Sequence, residues 1–422
     1  MNDDFRSRLR PLKSVIKPDQ SEPEPPETKE TFVTPDEAAA ADDLTQKARL
    51  VGNTMLKDKP ETPEKPSWRE RLALHWPPGK KEALVSGVVL LLCVGGGFAL
   101  IHTSPKTVPA GAYGAAPAAP KITTVPSNLT GLPVQPSVNK RPVTAVMIEN
   151  SLDARPQSGL SQAGVVFEAV AEGGVTRFMA LYQDNRPSSI GPIRSARPYY
   201  VQWALGFDAA YAHVGGSPDA LSDITRWDVK DMNQFYNGNY YHRITSREAP
   251  HNVYTAVSTL NKLEKVKGYK TSSYTGFPRK PAAPAAQVTA KTIDMTLSGY
   301  DYDPHFAYST KTHTYKRSEA GAPQMDAHSH TQIAPKVVIA IVVPETQGAL
   351  DSSGAYYSNY DVLSSGRAYV FQDGTVTKGR WSKASNSSQI VFTNSQHQPL
   401  LLDPGQTWIT AIVSSHNVKY HS

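Results

Sequence analysis

The residues best equipped for chemistry crowd into positions 149–252 of a 422-residue chain. Glu149 and Asn150 follow one apolar run, and Glu168 and Glu172 flank the next. Arg177, Arg194, Ser195 and Arg197 come after them. His213, Gly215, Gly216, Ser217 and Asp219 lie together in AHVGGSPDA, and Arg243, Arg247, His251 and Asn252 in HRITSREAPHNVY. Glycines let backbone N–H groups approach a ligand, and a helix starting at Pro218 adds the positive end of its dipole. Arg194 and Arg197 can each grip a carboxylate or phosphate with two parallel N–H bonds. Together these predict an anion-recognition pocket drawn from Glu168, Arg177, Arg194, Arg197, His213, Ser217, Asp219, His251 and Asn252.

Each piece also has a plainer role. Ser217 before Pro218 suits a helix cap, Arg177 and Glu172 suit an ion pair, and His251 with Asn252 suits a cap for the next helix. Reaction templates fit poorly, because the chain has no GxSxG elbow, P-loop, HExxH or CxxC. Ser217, His213 and Asp219 fall within seven residues on one turn, which is poor triad geometry. Glu168 or Glu172 with His213 or His251 could serve acid–base chemistry on a glycan. Asp326, His328 and His330 alternate as metal ligands on a strand do, yet two histidines in a loop read better as surface decoration. No metal, no cofactor and no nucleic-acid partner is expected.

These residues need elements to position them. Runs at 143–148, 165–170, 176–182 and 209–214 read as strands, and 198–205, 218–224 and 253–266 as helices. Val253, Val257, Leu260 and Leu263 recur at helical spacing in the last. This alternation predicts an α/β or α+β ectodomain over 141–270. A Pro/Ala-rich linker over 271–291 precedes a different unit, 292–415. There, KVVIAIVV, three further strand-like runs and TWITAIV predict a mostly β domain, a small barrel or sandwich. Asp373-Gly374 marks a hairpin within it.

The first third differs in composition. Eighteen of the 34 prolines precede position 141. Residues 1–66 have the composition of a disordered cytoplasmic arm and 102–140 that of an Ala/Pro-rich linker. Between them, a juxtamembrane segment at 67–82 leads into 83–101, ALVSGVVLLLCVGGGFALI. Nineteen uncharged residues span about 28 Å as a helix, so a single transmembrane helix is expected. Arg69, Arg71, Lys80 and Lys81 before the run place the N-terminus in the cytoplasm and the C-terminal domains outside the plasma membrane. Residues 1–82 carry 15 basic and 16 acidic side chains, leaving 29 and 22 for the remainder. A mildly basic ectodomain is compatible with an anionic envelope polymer. The one cysteine, Cys93, excludes an internal disulfide.

Several stretches carry a resemblance to a known family. ENSLDARPQSGLSQAGVVFEAVAEGGVTRFMALYQ, IGPIRSARPYY, AHVGGSPDA and EAPHNVYT occur in order. YKRSEAGAPQMD, RAYVFQDGTVTKGRWSK and PLLLDPGQTWI follow. Over about residues 141–415 the chain resembles the YerB-like lipoprotein family of unknown function. The resemblance implies a bacterial, envelope-exposed protein with two domains of this kind. It departs from the family in carrying an apolar span in place of a lipobox. The expected function is binding of an anionic or glycan ligand, such as cell-wall glycan. Two alternatives are a cell-wall hydrolase or transferase using the same pocket, and a tether between a cytoplasmic partner and the envelope.

Overall fold

Alternation along the buried strands decides the architecture. In Thr144–Glu149 every residue is buried, yet Ala145 and Met147 join one apolar core while Val146 and Ile148 join another. Val337–Val342 behaves alike, with Val337, Ile339 and Ile341 on one side and Val338 and Ala340 on the other. Side chains alternate across a strand, so a strand apolar at every position must be covered on both faces. The computed structural model, which describes residues 123–422 apart from Ser352, has a 12-stranded mixed sheet in that position.

From one edge the sheet runs Val391–Thr393, Thr375–Ser382, Ser365–Gln372, Val337–Val342 and Thr407–Ile412. It continues through Val165–Glu172, Val175–Tyr182, Thr144–Glu149, Ala210–His213 and Asp231–Asn233. The hairpin Glu345–Leu350 and Tyr356–Tyr360 attaches beside Val165–Glu172. One face packs on the helices Pro198–Leu205 and Pro218–Arg226 through Tyr199, Trp203, Ala220 and Ile224. The other packs on the helix Val257–Lys267 and on a five-stranded sheet that includes Thr292–Met295, His305–Ser309 and Thr314–Glu319.

This corrects the expected fold class. The described residues hold 21 strands against α-helices of 8, 9 and 11 residues, so the fold is mostly β and its N-terminal part is not an α/β layer domain. Nor do the later strands close a barrel of their own. Thr407–Ile412 pairs in parallel with Val165–Glu172 on one side and Val337–Val342 on the other. A run such as KVVIAIVV carries no mark of which neighbour it will pair with, and the shared sheet is the arrangement that buries both faces of all of them. Residues 123–422 accordingly belong to one compact unit. The single transmembrane helix expected at 83–101, the arm and the juxtamembrane segment lie outside the described residues. Among those described, no helix is long and apolar enough to cross a membrane.

Segment 271–291 is strapped onto the sheet. Lys280 Nζ lies 2.7 Å from Asp373 Oδ2 and 2.5 Å from Asp403 Oδ1. Arg279 donates to Asp403 O at 2.8 Å and Leu129 O at 2.7 Å. Asp373 and Gly374, at φ 55° and 78°, form the two-residue hairpin between Ser365–Gln372 and Thr375–Ser382.

Candidate functional site

The sheet delivers Glu149 to the end of its strand, opposite Arg177 of the neighbour. There the chain turns through Asn150 and Ser151, and two other loops close in. Glu149 Oε1 accepts from Ser151 Oγ at 3.0 Å and lies 3.0 Å from His251 Nδ1. Arg194 Nε also stands 3.0 Å away, a charge contact without hydrogen-bond alignment. Ser151 Oγ is 3.2 Å from the same ring nitrogen of His251. The other nitrogen, Nε2, lies 4.0 Å from the exposed carboxylate of Asp153. Glu149 itself is 3% exposed, and its Oε2 has no hydrogen-bond partner among the described residues. Arg194 and His251 keep 26% and 21% of their side chains open, so the cluster meets solvent through these two.

Asn252 supports the loop that carries His251. Its Oδ1 accepts from Arg243 at 2.6 Å, and its Nδ2 donates to Ile244 O and Arg247 O. Arg247 in turn donates to Asp153 O at 3.1 Å and Pro156 O at 2.7 Å, tying this loop to the one after Glu149.

A second cluster adjoins the first. Glu172 receives Arg177 and Arg197, the latter at 2.5 Å. Arg197 lies over the Tyr357 ring, 4.7 Å from its centroid. Burial, with the Arg177 charge beside it, lowers Arg197 from the usual guanidinium range while Glu172 opposes the change. Arg194 and Arg197 therefore face different carboxylates.

The remaining residues singled out in the sequence lie elsewhere. His213 is wholly buried, with Nδ1 2.7 Å from Gly215 O and Nε2 2.9 Å from Asp231 Oδ1. Both ring nitrogens are thus occupied away from Ser217 and Asp219. Ser217 caps the helix Pro218–Arg226, accepting from the Ala220 N–H at 3.4 Å. Ser217→Ala is expected to lower stability by about 1 kcal/mol or less in urea unfolding, leaving the Glu149 cluster intact. Asp219 is exposed and lines a separate cleft of about 380 Å³ with Tyr199 and Arg226. Gly215, at φ +58°, sits where a Cβ would come 2.8 Å from Phe235, and its N–H already donates to Asn233 Oδ1.

Glu168 lies between the two sheets. Arg317 reaches its Oε1 at 2.6 Å, and Trp408 and Thr410 donate to its Oε2 at 2.8 and 3.2 Å. Removal from water pushes its carboxyl up to about 7 against the pull of Arg317. Asp326 is also buried, accepting from the N–H groups of Gly159, Ser161 and His328. Among the described residues no three His, Cys, Asp or Glu side chains are grouped to hold a metal ion.

Sequence reasoning left Ser151, Asp153 and Arg317 out. A polar triplet at a strand end, Glu149-Asn150-Ser151, signals Ser151, while nothing local marks Arg317 as the partner of Glu168.

Residues 129–270 match the N-terminal domain, and 293–409 the C-terminal domain, of the family described as Protein of unknown function (DUF3048). The putative lipoprotein YerB of Bacillus subtilis (strain 168) is 32% identical over 288 residues, covering 67% of this chain and 85% of that protein. The crystal structure of YerB protein from Bacillus subtilis superposes with a TM-score of 0.62 at 30% identity, over 71% of this chain and all of that one. Two matched domains in order, a relative matched over 85% of its length and a shared fold lead to one conclusion: the chain belongs to the DUF3048 family, the YerB-like proteins of unknown function.

Proposed function

We propose that this is an envelope-associated binding protein that takes an anionic glycan at the face where Arg194 and His251 meet solvent. Similarity to a putative lipoprotein supports the envelope placement. The observation that carries the binding reading is Arg194. It contacts Glu149 through Nε, and no hydrogen bond among the described residues engages its two terminal nitrogens. Those nitrogens are the pair that grips a carboxylate or phosphate. Phe235 and Tyr236 are 69% and 82% exposed on the loop that packs over Gly215, next to Val214, whose N–H donates to Arg194 O. Open aromatic faces suit the C–H faces of sugar rings.

One observation favours a second reading, hydrolysis or group transfer on the same ligand. His251 rests Nδ1 on a buried carboxylate and leaves Nε2 toward the exposed side, the orientation of a general base. Incubating the full chain with purified cell wall separates the two. Retention without covalent change is the expected result, and Arg194→Ala is expected to weaken it about tenfold, as loss of a charged hydrogen-bonding partner does. Release of soluble fragments that His251→Ala abolishes would establish the catalytic reading instead. Retention unaffected by Arg194→Ala in a folded chain would remove the binding face.

A further inference from the structure

One amine in the fold touches two carboxyl groups. Lys280 Nζ lies 2.7 Å from Asp373 Oδ2 and 2.5 Å from Asp403 Oδ1. The three residues come from the strap 271–291, the hairpin turn after Ser365–Gln372 and the turn before Thr407–Ile412. Asp403 is wholly buried and Asp373 nearly so, while part of the Lys280 side chain stays open. Backbone bonds hold the lysine in register with its neighbour. Leu402 N donates to Pro278 O at 2.9 Å, and Lys280 N donates to Leu402 O at 3.0 Å. Asp403 is fixed in turn, its N–H donating to Gln372 Oε1 at 2.9 Å and its carbonyl accepting from Arg279 at 2.8 Å. Beside Asp373, the Gly374 N–H donates to the Tyr315 hydroxyl at 3.2 Å, and the Tyr308 ring packs against Gly374.

The two carboxyls are not equivalent. Burial, with Asp373 beside it, raises Asp403 above the usual carboxyl range. Against the cost of its own burial, hydrogen bonds from Asp403 and Lys280 hold Asp373 below that range. Asp373 Oδ1 and Asp403 Oδ2 are buried and receive no hydrogen bond from another described group, which leaves them for a proton shared between the two carboxyls. The cluster therefore holds a protonated acid at Asp403, a carboxylate at Asp373 and an amine in contact with both. An amine becomes a nucleophile when an adjacent base takes its proton. Groups held at contact act at an effective concentration on the order of 10⁵ M or more. Neutral products also relieve the desolvation of buried charge.

We propose that Lys280 and Asp403 condense into an intramolecular amide cross-link, with Asp373 as the proton carrier. Asp373 takes a proton from the Lys280 ammonium, and the freed lone pair on Nζ forms a bond to Asp403 Cγ. The Cγ–OH bond then breaks. Of the three ammonium protons, one remains as the amide N–H, one leaves with the Asp403 hydroxyl as water and one stays on Asp373. The cluster is neutral before and after, and no oxidant or co-reactant enters. With one cysteine the chain can make no internal disulfide, and the amide supplies a covalent tie between the strap and the sheet. The cluster carries this inference without the Arg194 face, and the two can fail separately.

Mass spectrometry of the purified full chain tests this. The intact parent is expected about 18 Da below the mass of its sequence, the loss of one water. A digest is expected to yield a branched peptide joining the segments around Lys280 and Asp403. Lys280→Arg is expected at the mass of its own sequence, because a guanidinium does not give up its proton to become a nucleophile. Asp373→Asn keeps the shape and removes the proton carrier, and most of its chains are expected to stay unlinked. Should either variant fail to fold, the parent's digest decides the linkage by itself. A parent at its full sequence mass, with separate peptides for Lys280 and Asp403, would overturn the cross-link, as would a loss of water mapped to other residues. Linkage in Asp373→Asn equal to that of the parent would overturn the role given to Asp373.

Discussion

Replacing Arg317 with methionine is expected to lower folding stability by about 3–5 kcal/mol, the usual result of stripping one partner from a buried ion network. Arg317 is inaccessible to solvent and contacts Glu168 at 2.6 Å and Glu319 at 2.9 Å, with the Gln324 side chain as a further partner. Three rings surround it: Phe178, Phe306 and Trp408, at 5.4, 5.8 and 5.0 Å from guanidinium to centroid. Methionine retains much of the packing and loses the charge, leaving the buried Glu168 uncompensated and Glu319 with only its 3.2 Å contact to Arg155. Glu168 can escape by taking up a proton, which burial already favours. The loss should therefore be larger at pH 8 than at pH 5. Combining Arg317→Met with Glu168→Gln should recover part of it, because the second change removes the stranded charge. Urea unfolding at the two pH values measures all four chains. An Arg317→Met chain as stable as the parent would mean that the network holds no net stabilisation.

Glu264→Gln is expected to act in the opposite direction and only above neutral pH. Glu264 faces the sheet from the helix Val257–Lys267 and is 1% exposed. Thr144 Oγ1 lies 2.6 Å and Asn261 Nδ2 2.7 Å from its two oxygens. Among the described residues no cation contacts it, and desolvation pushes the carboxyl from 4.5 up to about 7. Between these two values the folded chain holds a proton that the unfolded chain has lost. Stability therefore falls as pH rises from about 4.5 to 7, and the penalty is complete above that window. Glutamine reproduces the protonated acid in shape and hydrogen bonding and has nothing to ionise. The variant should match the parent near pH 4 and exceed it by about 3 kcal/mol at pH 8, at about 1.4 kcal/mol for each unit of pKa displacement. Equal stability of the two chains at pH 8 would show that Glu264 ionises inside the fold without cost.

The chain was legible in part, where structure is set locally. The helix Pro198–Leu205 falls where the sequence predicts it, because Pro198 suits a first helical turn and Gly206 follows the last. The Asp373-Gly374 hairpin is equally local, since both positions take the positive φ that such a turn demands. The helix expected at 253–266 begins instead at Val257, because Val253–Tyr254 pairs with His242–Arg243 as a short ribbon. Apolar spacing alone does not distinguish a helix turn from the strand pair leading into it.

For the candidate site, the sequence singled out Arg194, His251 and Asn252 by type and neighbourhood, and the fold sets the first two against Glu149 and ties Asn252 into the loop that carries His251. Glu149 was visible as a carboxylate at a strand end, but its role as the meeting point of Ser151, Arg194 and His251 was not. His213 illustrates the converse. It sits among glycines and a serine in the chain, yet its ring turns inward to Asp231, which reaches it from the neighbouring strand.

By itself the sequence determined what depends on a few consecutive residues: strand runs, helix starts, turns, and the crowding of polar groups between 149 and 252. Pairing of Thr407–Ile412 between Val165–Glu172 and Val337–Val342, and of Glu168 with Arg317, was decided only by the tertiary structure. The physical reason is that local conformation follows from steric and hydrogen-bonding preferences of neighbouring residues. Partner choice follows from burying two faces of one sheet at once, and any of several similar apolar strands meets that condition until all are placed together.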